Sequence, residues 1–352
     1  FYFYMSSIDL FLSKYITKED NFVLACSGGP DSMYLLYNIL ESSYKNNLIV
    51  CYFNHKLRDQ ADSEEKYIIN LGKELGFKVE TGFCDVKKLQ NELNSISTEE
   101  LARHKRYGFL NTIVLKNQAK YMLTAHHLDD KIETFFFNLI RGTKLTGLIN
   151  MTECSGNILR PLLNVTKSEI LDFLDERKIT FFVDDSNFDI DINRNYLRLE
   201  ILPKFLKINK NYKKNLNNFM NYLEDMKKYI DYGVKSFLNL DIVLNYEKTT
   251  ENENYSGLKK DVFVLNSGSK IINFEGKKYE DFFSLQGFKK LDLFFQKEVI
   301  RYIFFIRNSN STIGLSESNI SEVIKFLYGK NNKTVKEIKK LNLKKDGDKV
   351  FY

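Results

Sequence analysis

The residues best equipped for chemistry stand in short polar strings, each directly behind an apolar run. The first is Ser27-Gly28-Gly29-Pro30-Asp31-Ser32, which follows Phe22–Cys26. Two adjacent glycines let a backbone approach a ligand closely and turn several N–H groups toward it. Ser32 and the helix start behind it add a positive dipole end, which suits phosphate. Asp31 would repel bare phosphate, so a carboxylate there points to Mg²⁺ or a cationic substrate. The string is not a Walker A loop, since no Gly-x-x-x-x-Gly-Lys-Ser/Thr occurs, nor a Gly-x-Ser-x-Gly nucleophile elbow, since Ser27 follows Ala25-Cys26. Alone, it is also compatible with a strand-to-helix turn that merely needs glycine.

The second string is His126-His127-Leu128-Asp129-Asp130, with Glu133 a turn further on. Neighbouring histidines on an extended chain point to opposite sides, so they do not readily share one metal. Asp130 and Glu133, one helical turn apart, predict an acidic pocket for an ammonium group or Mg²⁺. Acids countering a helix dipole would explain one of the aspartates equally well. Further cations lie in Arg103-His104-Lys105-Arg106, in Arg141-Gly142-Thr143-Lys144, and in Arg194-Asn195-Tyr196-Leu197-Arg198. Arg103, Lys105 and Arg106 can reach a phosphate or simply be solvated, and the 141–148 segment reads as a flexible basic loop. A planar guanidinium at Arg194 or Arg198 can clamp a phosphate with two parallel bonds or hold a salt-bridged interdomain linker.

The elements that must position these strings follow from apolar periodicity. Strands are predicted at Phe22–Cys26, Leu48–Phe53, Lys78–Phe83 and Tyr121–Ala125. Helices are predicted at Ser32–Leu40, Asp62–Leu75, Thr98–Leu115, Lys131–Ile140 and Thr166–Lys178. Strands alternating with helices mean parallel crossovers and an α/β sheet with helices on both faces. Ligands then bind at the carboxyl ends of the strands. SGGPDS, Asn54-His55-Lys56-Leu57-Arg58 and HHLDD all follow strands directly, which gathers them on one sheet edge. Residues 181–198 are predicted to be irregular, and 245–255 a polar linker. Later helices are predicted at 211–240, 289–307 and 316–328, followed by a basic stretch at 330–345.

Charge divides unevenly along the 352 residues. Residues 1–200 carry 24 Lys+Arg against 28 Asp+Glu, net −4, and residues 201–352 carry 28 against 18, net +10. A near-neutral catalytic part joined to a basic part that faces a polyanion is one reading; a wet, lysine-rich surface is the other. The 43% hydrophobic and 14% aromatic content rules out wholesale disorder. No apolar run is long enough to span a bilayer, and the opening FYFYMSSIDLF lacks a basic flank and a cleavage site, so neither a membrane span nor a signal peptide is expected. Cys26, Cys51, Cys84 and Cys154 have no pairing pattern, which disfavours a disulfide framework or a zinc or iron–sulfur site and favours a reducing compartment.

SGGPDS behind a strand is similar to the loop of N-type ATP pyrophosphatases, the PP-loop superfamily. Within it, NHKLR, LARHKRY, TAHHLDDKIETFFFNLIRGTKLTGL, LRPLL and DDSNFDIDINRNYLRLEILP resemble the tRNA(Ile)-lysidine synthetase family, in matching order from about Phe22 to Pro203. Phe181-Phe182 stands where that family usually has Trp. The resemblance implies a catalytic domain over residues 1–204 and a basic, mainly helical tRNA-binding region over 205–352. It implies adenylation of the wobble cytidine of an isoleucine tRNA by ATP, then attack by the amine of free L-lysine, giving lysidine, AMP and pyrophosphate. ATP would be held by Ser27, Gly28, Gly29, Pro30, Asp31 and Ser32 with Asn54, His55 and Arg106, and Mg²⁺ by Asp31. Asp31, Asp130 and His127 would act in catalysis, the proton acceptor being a carboxylate or His127. Lysine and tRNA would meet Asp130, Glu133, Arg141, Arg194 and Arg198. A bacterial-type cytoplasm or an organelle would be the compartment; a homodimer is left open. The rival readings are a PP-loop tRNA thiolase, a small-molecule ligase of the same superfamily, and an RNA-binding protein with a decayed nucleotide site.

Overall fold

The computed structural model describes residues 6–56, 60–86, 89, 98–149, 151–183, 193–238, 282–308, 314–331, 334–339 and 341–352. The linker expected at 245–255 and the Asp-rich run at 184–192 lie outside these residues. The chain folds as two compact units, residues 1–223 and 224–352. That division falls later than the expected 204/205 boundary, because helix Tyr212–Phe237 begins in the first unit and ends in the second.

The first unit holds β1 (Phe22–Ala25), β2 (Leu48–Asn54), β3 (Lys78–Phe83), β4 (Tyr121–Leu123), β5 (Cys154–Ser155) and β6 (Ile158–Leu159) in one sheet of order β3-β2-β1-β4-β6-β5. All neighbours run parallel except β5 against β6. Alternation within the strands fills both faces. Phe22, Leu24, Val50, Leu123 and Leu159 join the core beneath α1 (Ser7–Ser13), α2 (Pro30–Leu40) and α3 (Ala61–Leu75). Val23, Ile49, Cys51 and Met122 face the opposite layer, where Leu110, Ile113 and Val114 of α4 (Thr98–Lys116) pack. This is the sandwiched α/β sheet expected from the sequence.

The strand order decides where a ligand goes. From β1 the chain adds β2 and β3 on one side, then crosses to place β4 on the other. The crossovers diverge between β1 and β4, and such a switch point leaves a crevice at the strands' carboxyl ends. SGGPDS leaves β1 and HHLDD leaves β4, so both strings face that crevice. Behind HHLDD runs α5 (Leu128–Ile140), and behind the short β6 runs α6 (Lys167–Glu176). Leu128, Ile132 and Phe135 of α5 pack with Leu197, Leu202 and Met220, which draws the 197–202 segment and the start of α7 (Tyr212–Phe237) onto α5.

The second unit has a short helix that the sequence does not predict, α8 (Leu285–Lys290), and the two that it does, α9 (Leu293–Arg307) and α10 (Glu317–Tyr328). It also has an antiparallel sheet of order β7-β10-β9-β8, built from Phe282–Ser284, Lys349–Phe351, Leu341–Asp346 and Val335–Ile338. The basic stretch thus includes two strands. Lys345, only 1% exposed, occupies an inward position of β9 after Leu341 and Leu343. Its ammonium donates to the carbonyls of Gly329 (2.7 Å) and Phe326 (3.3 Å) at the end of α10, where a cation complements the helix dipole. Among the described residues, no helix is long and apolar enough to cross a membrane.

Candidate active site

The switch-point crevice is a cleft of about 570 Å³ walled by Ser27, Gly29, Asp31 and Ser32 of the loop, by Tyr52, Phe53, His55 and Glu64, by Arg106 and Tyr107 of α4, and by Thr124, His126 and Asp130. The loop is braced from within. Ser32 Oγ donates to the Gly29 carbonyl (2.9 Å) and accepts from the Ser27 N–H (3.2 Å), while Ser27 Oγ accepts from the Gly29 N–H (3.3 Å). Pro30 opens α2, where a missing N–H costs nothing and the φ is already helical. Gly28 holds φ +76°, and a Cβ there would lie 3.0 Å from the ring of Phe182, whose N–H donates to the Gly28 carbonyl (2.9 Å). Gly28→Ala is therefore expected to destabilise the first unit by about 1–2 kcal/mol, the cost of a left-handed non-glycine residue, read by denaturant unfolding.

The HHLDD turn sorts its side chains. His126 lines the cleft, with Thr124 Oγ1 2.9 Å from its Nδ1. Burial, reinforced by Arg160, Arg103 and Arg106 and opposed by Asp130, pushes its imidazole down to about 4, so it is neutral at pH 7. His127 is buried, and its Nε2 lies 3.5 Å from both Asp31 Oδ1 and Asp130 Oδ2. Asp130 also accepts the His127 N–H (3.0 Å), closing the first turn of α5. Asp31, Asp130 and His127 therefore form one cluster beneath the cleft.

Glu133 departs from the expected single acidic pocket. It lines a second, smaller cavity of about 130 Å³ with Asp129, Arg198, Tyr212 and Lys213, and not the large cleft that Asp130 lines. The reason is helical phase: residues four apart, such as Asp129 and Glu133, are more nearly aligned than residues three apart. Burial, then the Asp130 carboxylate, pushes the Glu133 carboxyl up to about 7 against the pull of Arg198 and Arg194. Arg194 Nε stands 3.6 Å from Glu133 Oε2. Burial would raise Asp129 too, but an ion pair with Lys213 and the Lys167 N–H (2.9 Å) hold it below the usual carboxylate range.

Arg106 lies with Arg103 and Arg160 around Tyr107 and His126. The guanidinium carbons of Arg103 and Arg106 are 5.1 and 5.7 Å from the Tyr107 ring centre. Arg160 donates to the Thr152 carbonyl (3.0 Å), and its buried Nε has no partner among the described residues. Burial lowers the pKa of both Arg106 and Arg160, and Arg103 lowers each further. No acid among the described residues pairs with these three cations, so this side of the cleft is ready for an anion.

Several expected contacts fall elsewhere. Asn54 is fully buried and lies outside the cleft wall; its amide donates to Asp62 (2.7 Å) and Glu65 (3.1 Å) and its oxygen accepts the Lys56 N–H. Gly28 and Pro30 are not among the residues that wall the cleft. Arg141 is exposed at the far end of α5, about 20 Å along the helix from HHLDD, and stacks on Phe137. Arg194 and Arg198, expected in an irregular segment, sit on helical turns, Asn193–Tyr196 and a wide π turn at Leu197–Ile201.

A PP-loop domain matches residues 4–205. A tRNA(Ile)-lysidine synthase of Mycoplasma mycoides is 30% identical over 344 residues, 96% of this chain and 74% of the relative. One of Thermosipho africanus is 36% identical, over 64% of this chain and 52% of the relative, and one of Borrelia garinii is 33% identical, over 83% and 72%. The chain belongs to the tRNA(Ile)-lysidine synthase family of PP-loop proteins. Membership implies that it uses ATP. The U34-tRNA thiolase NcsA of Methanococcus maripaludis shares the fold, with TM-score 0.52 and 16% identity over 62% of this chain and 77% of the thiolase.

The site roles read from the sequence pass over several residues that the fold brings together, some inside the quoted strings (Tyr107, His126, Arg160) and some outside them (Tyr52, Glu64, Lys167). His126 shares the cleft wall with Tyr52, Glu64 and Tyr107, and Arg160 leaves the end of β6 beside them. Lys167 reaches Asp31 from the start of α6, with Nζ 2.5 Å from Oδ1. Both contacts to Asp31 use Oδ1, and among the described residues no three His, Cys, Asp or Glu side chains converge as a metal cage. The donor set thus fits Mg²⁺ only in the manner usual for nucleotide sites, one or two carboxylates completed by substrate phosphates and water.

Proposed function

We propose that this protein joins the amine of free L-lysine to the wobble cytidine of an isoleucine tRNA, at the cost of ATP cleaved to AMP and pyrophosphate. One observation carries the reading: a polyphosphate cradle, an arginine cluster that no acid among the described residues pairs with, and a buried carboxylate beside two arginines all lie around the two carboxyl-end turns of β1 and β4. The relatives, named for this activity and similar along nearly the whole chain in one case, support it.

In the first step the triphosphate lies on the Ser27–Ser32 loop, whose N–H groups and α2 dipole favour its charge. The cytidine carbonyl oxygen attacks the α-phosphorus and pyrophosphate leaves. Arg106, with Arg103 and Arg160 behind it, stabilises charge on the phosphoryl oxygens. Mg²⁺, held with the phosphates by Asp31, would offset charge as the bond to pyrophosphate breaks. In the second step Glu133 receives an ammonium group of lysine, and Arg194 and Arg198 take its carboxylate. The incoming amine loses its proton to the Asp31–His127–Asp130 cluster, attacks the activated ring carbon, and AMP departs. Holding three substrates together lowers the barrier by on the order of 7–11 kcal/mol through positioning alone. The basic residues 201–352, with Tyr and Phe for stacking on unpaired bases, provide the RNA-facing surface.

The test is pyrophosphate release by the purified chain from ATP, with isoleucine tRNA and with lysine or sulfide supplied separately. Release that needs tRNA, and a tRNA product that needs lysine, are the expected results. A sulfide-dependent product would replace this reading with the thiolase one, which the four free, dispersed cysteines disfavour.

A further inference from the structure

We propose that Lys167 is the built-in counter-ion of the phosphate loop, a positioning residue that neutralises Asp31 so that the loop takes a polyphosphate without a divalent cation. The proposal rests on the reading of Ser27–Ser32 as a polyphosphate cradle. That cradle has an internal contradiction. Its N–H groups and helix dipole attract anions, yet Asp31 places a carboxylate on the same wall. A bare carboxylate close to a triphosphate would repel it strongly in a cleft of reduced polarity.

The fold answers with a fixed cation. Lys167 is the first residue of α6, whose start is set by a reciprocal cap: Thr166 Oγ1 accepts the Glu169 N–H (3.3 Å), and Glu169 accepts the Thr166 N–H (2.7 Å). The N–H of Lys167 itself donates to Asp129 (2.9 Å), tying the backbone at that residue to the HHLDD turn. Ile170 and Leu174 of α6 are fully buried in the core that also holds Leu35 and Leu36 of α2, the helix behind the loop. The ammonium is thus delivered to Asp31 Oδ1 (2.5 Å) from a clamped helix start, with its side chain only 34% exposed. An ordinary surface ion pair contributes little to stability. Here the consequence is local: one lysine carries, by main chain and side chain, hydrogen bonds to an acid in each of the two strings that meet at the crevice. Asp31 keeps Oδ2 for a later ligand while its charge is already balanced.

Calorimetric titration of inorganic pyrophosphate into the full chain, in EDTA and in Mg²⁺, tests this. The wild type should bind in EDTA within about tenfold of its affinity in Mg²⁺. Lys167→Met should bind at least about tenfold more weakly in EDTA, about 1.4 kcal/mol. Lys167→Arg, which keeps the charge, should stay near wild type. The decisive variant is Asp31→Asn/Lys167→Met: if Lys167 acts only by neutralising Asp31, removing both charges restores binding in EDTA. Should Lys167→Met fail to fold, Lys167→Gln takes its place, with the same expectation of at least about tenfold weaker binding in EDTA and the same recovery when combined with Asp31→Asn. Wild-type binding only with Mg²⁺, unchanged affinity in Lys167→Met, or no recovery in the double variant would each overturn the counter-ion role. No binding by the wild type in either condition would instead overturn the reading of the loop.

Discussion

Glu133→Gln is expected to abolish lysine transfer while making the protein more stable above neutral pH. The carboxyl is buried, 2% exposed, and burial with the nearby Asp130 charge lifts its pKa from 4.5 to about 7. An acid with a raised folded-state pKa stabilises least when ionised. Its contribution is fully present below about 4.5 and is lost as the pH rises through about 7. The rise from 4.5 to about 7 corresponds to about 3 kcal/mol lost by pH 8, and glutamine, which never ionises, avoids that loss. Thermal unfolding at pH 5 and pH 8 should therefore show a smaller drop in Glu133→Gln than in the wild type. The same substitution removes the charge proposed to receive an ammonium group of lysine. Leaving a buried charge without its partner costs about 3–5 kcal/mol, so kcat/KM for lysine should fall by about 10³-fold or more. Pyrophosphate release in the tRNA-dependent first step should change little. In the wild type, the lysine KM should fall as the pH rises through about 7 and the carboxylate forms. A variant that kept lysine transfer would remove Glu133 from the lysine site.

The difference between what the sequence discloses and what only the fold discloses is illustrated by these same residues. SGGPDS and HHLDD are legible because each interrupts an apolar strand run with residues of low strand propensity, and because parallel-sheet topology sends such interruptions to one edge. The α/β class follows from the alternation alone. The split between Asp130 and Glu133 is not legible, since spacing gives the helix face but not which neighbours arrive there. Those neighbours, Arg198, Tyr212 and Lys213, come from a segment and a helix start that pack on α5 through Leu197 and Met220, contacts distant in sequence. Lys167 is hidden for a similar reason. A lysine after Thr166 reads as an ordinary first-turn residue, and only the docking of α6 behind the loop turns it toward Asp31. The antiparallel sheet of the second unit is masked by Lys345, a charge at the inward position where alternation asks for an apolar side chain. Two carbonyls at the end of α10 satisfy it there.

Asp31→Asn is expected to separate binding from chemistry at the loop. The carboxylate sits at the start of α2, on the cleft wall, with Oδ1 engaged by Lys167 and facing His127 Nε2 at 3.5 Å. Asparagine has nearly the same shape and leaves the loop's own hydrogen bonds untouched, because those run among Ser27, Gly29 and Ser32. Melting temperature and pyrophosphate affinity in EDTA should therefore be retained, the latter favoured by a Lys167 ammonium no longer paired. What asparagine cannot do is supply the negative charge that would help hold a Mg²⁺ ion, or take part with His127 and Asp130 in accepting the amine's proton. Loss of one preorganised electrostatic group at a reacting centre typically costs about 10²–10³ in rate. If Asp31 serves both as cation ligand and as part of the proton-accepting cluster, the two losses compound, and tRNA-dependent pyrophosphate release should fall by about 10³-fold or more. Single-turnover measurement with saturating ATP and tRNA checks this without interference from product release. A variant that binds pyrophosphate normally and releases it from ATP at the wild-type rate would place the reacting phosphorus away from this carboxylate, and the chemistry would then belong to the arginine side of the cleft alone.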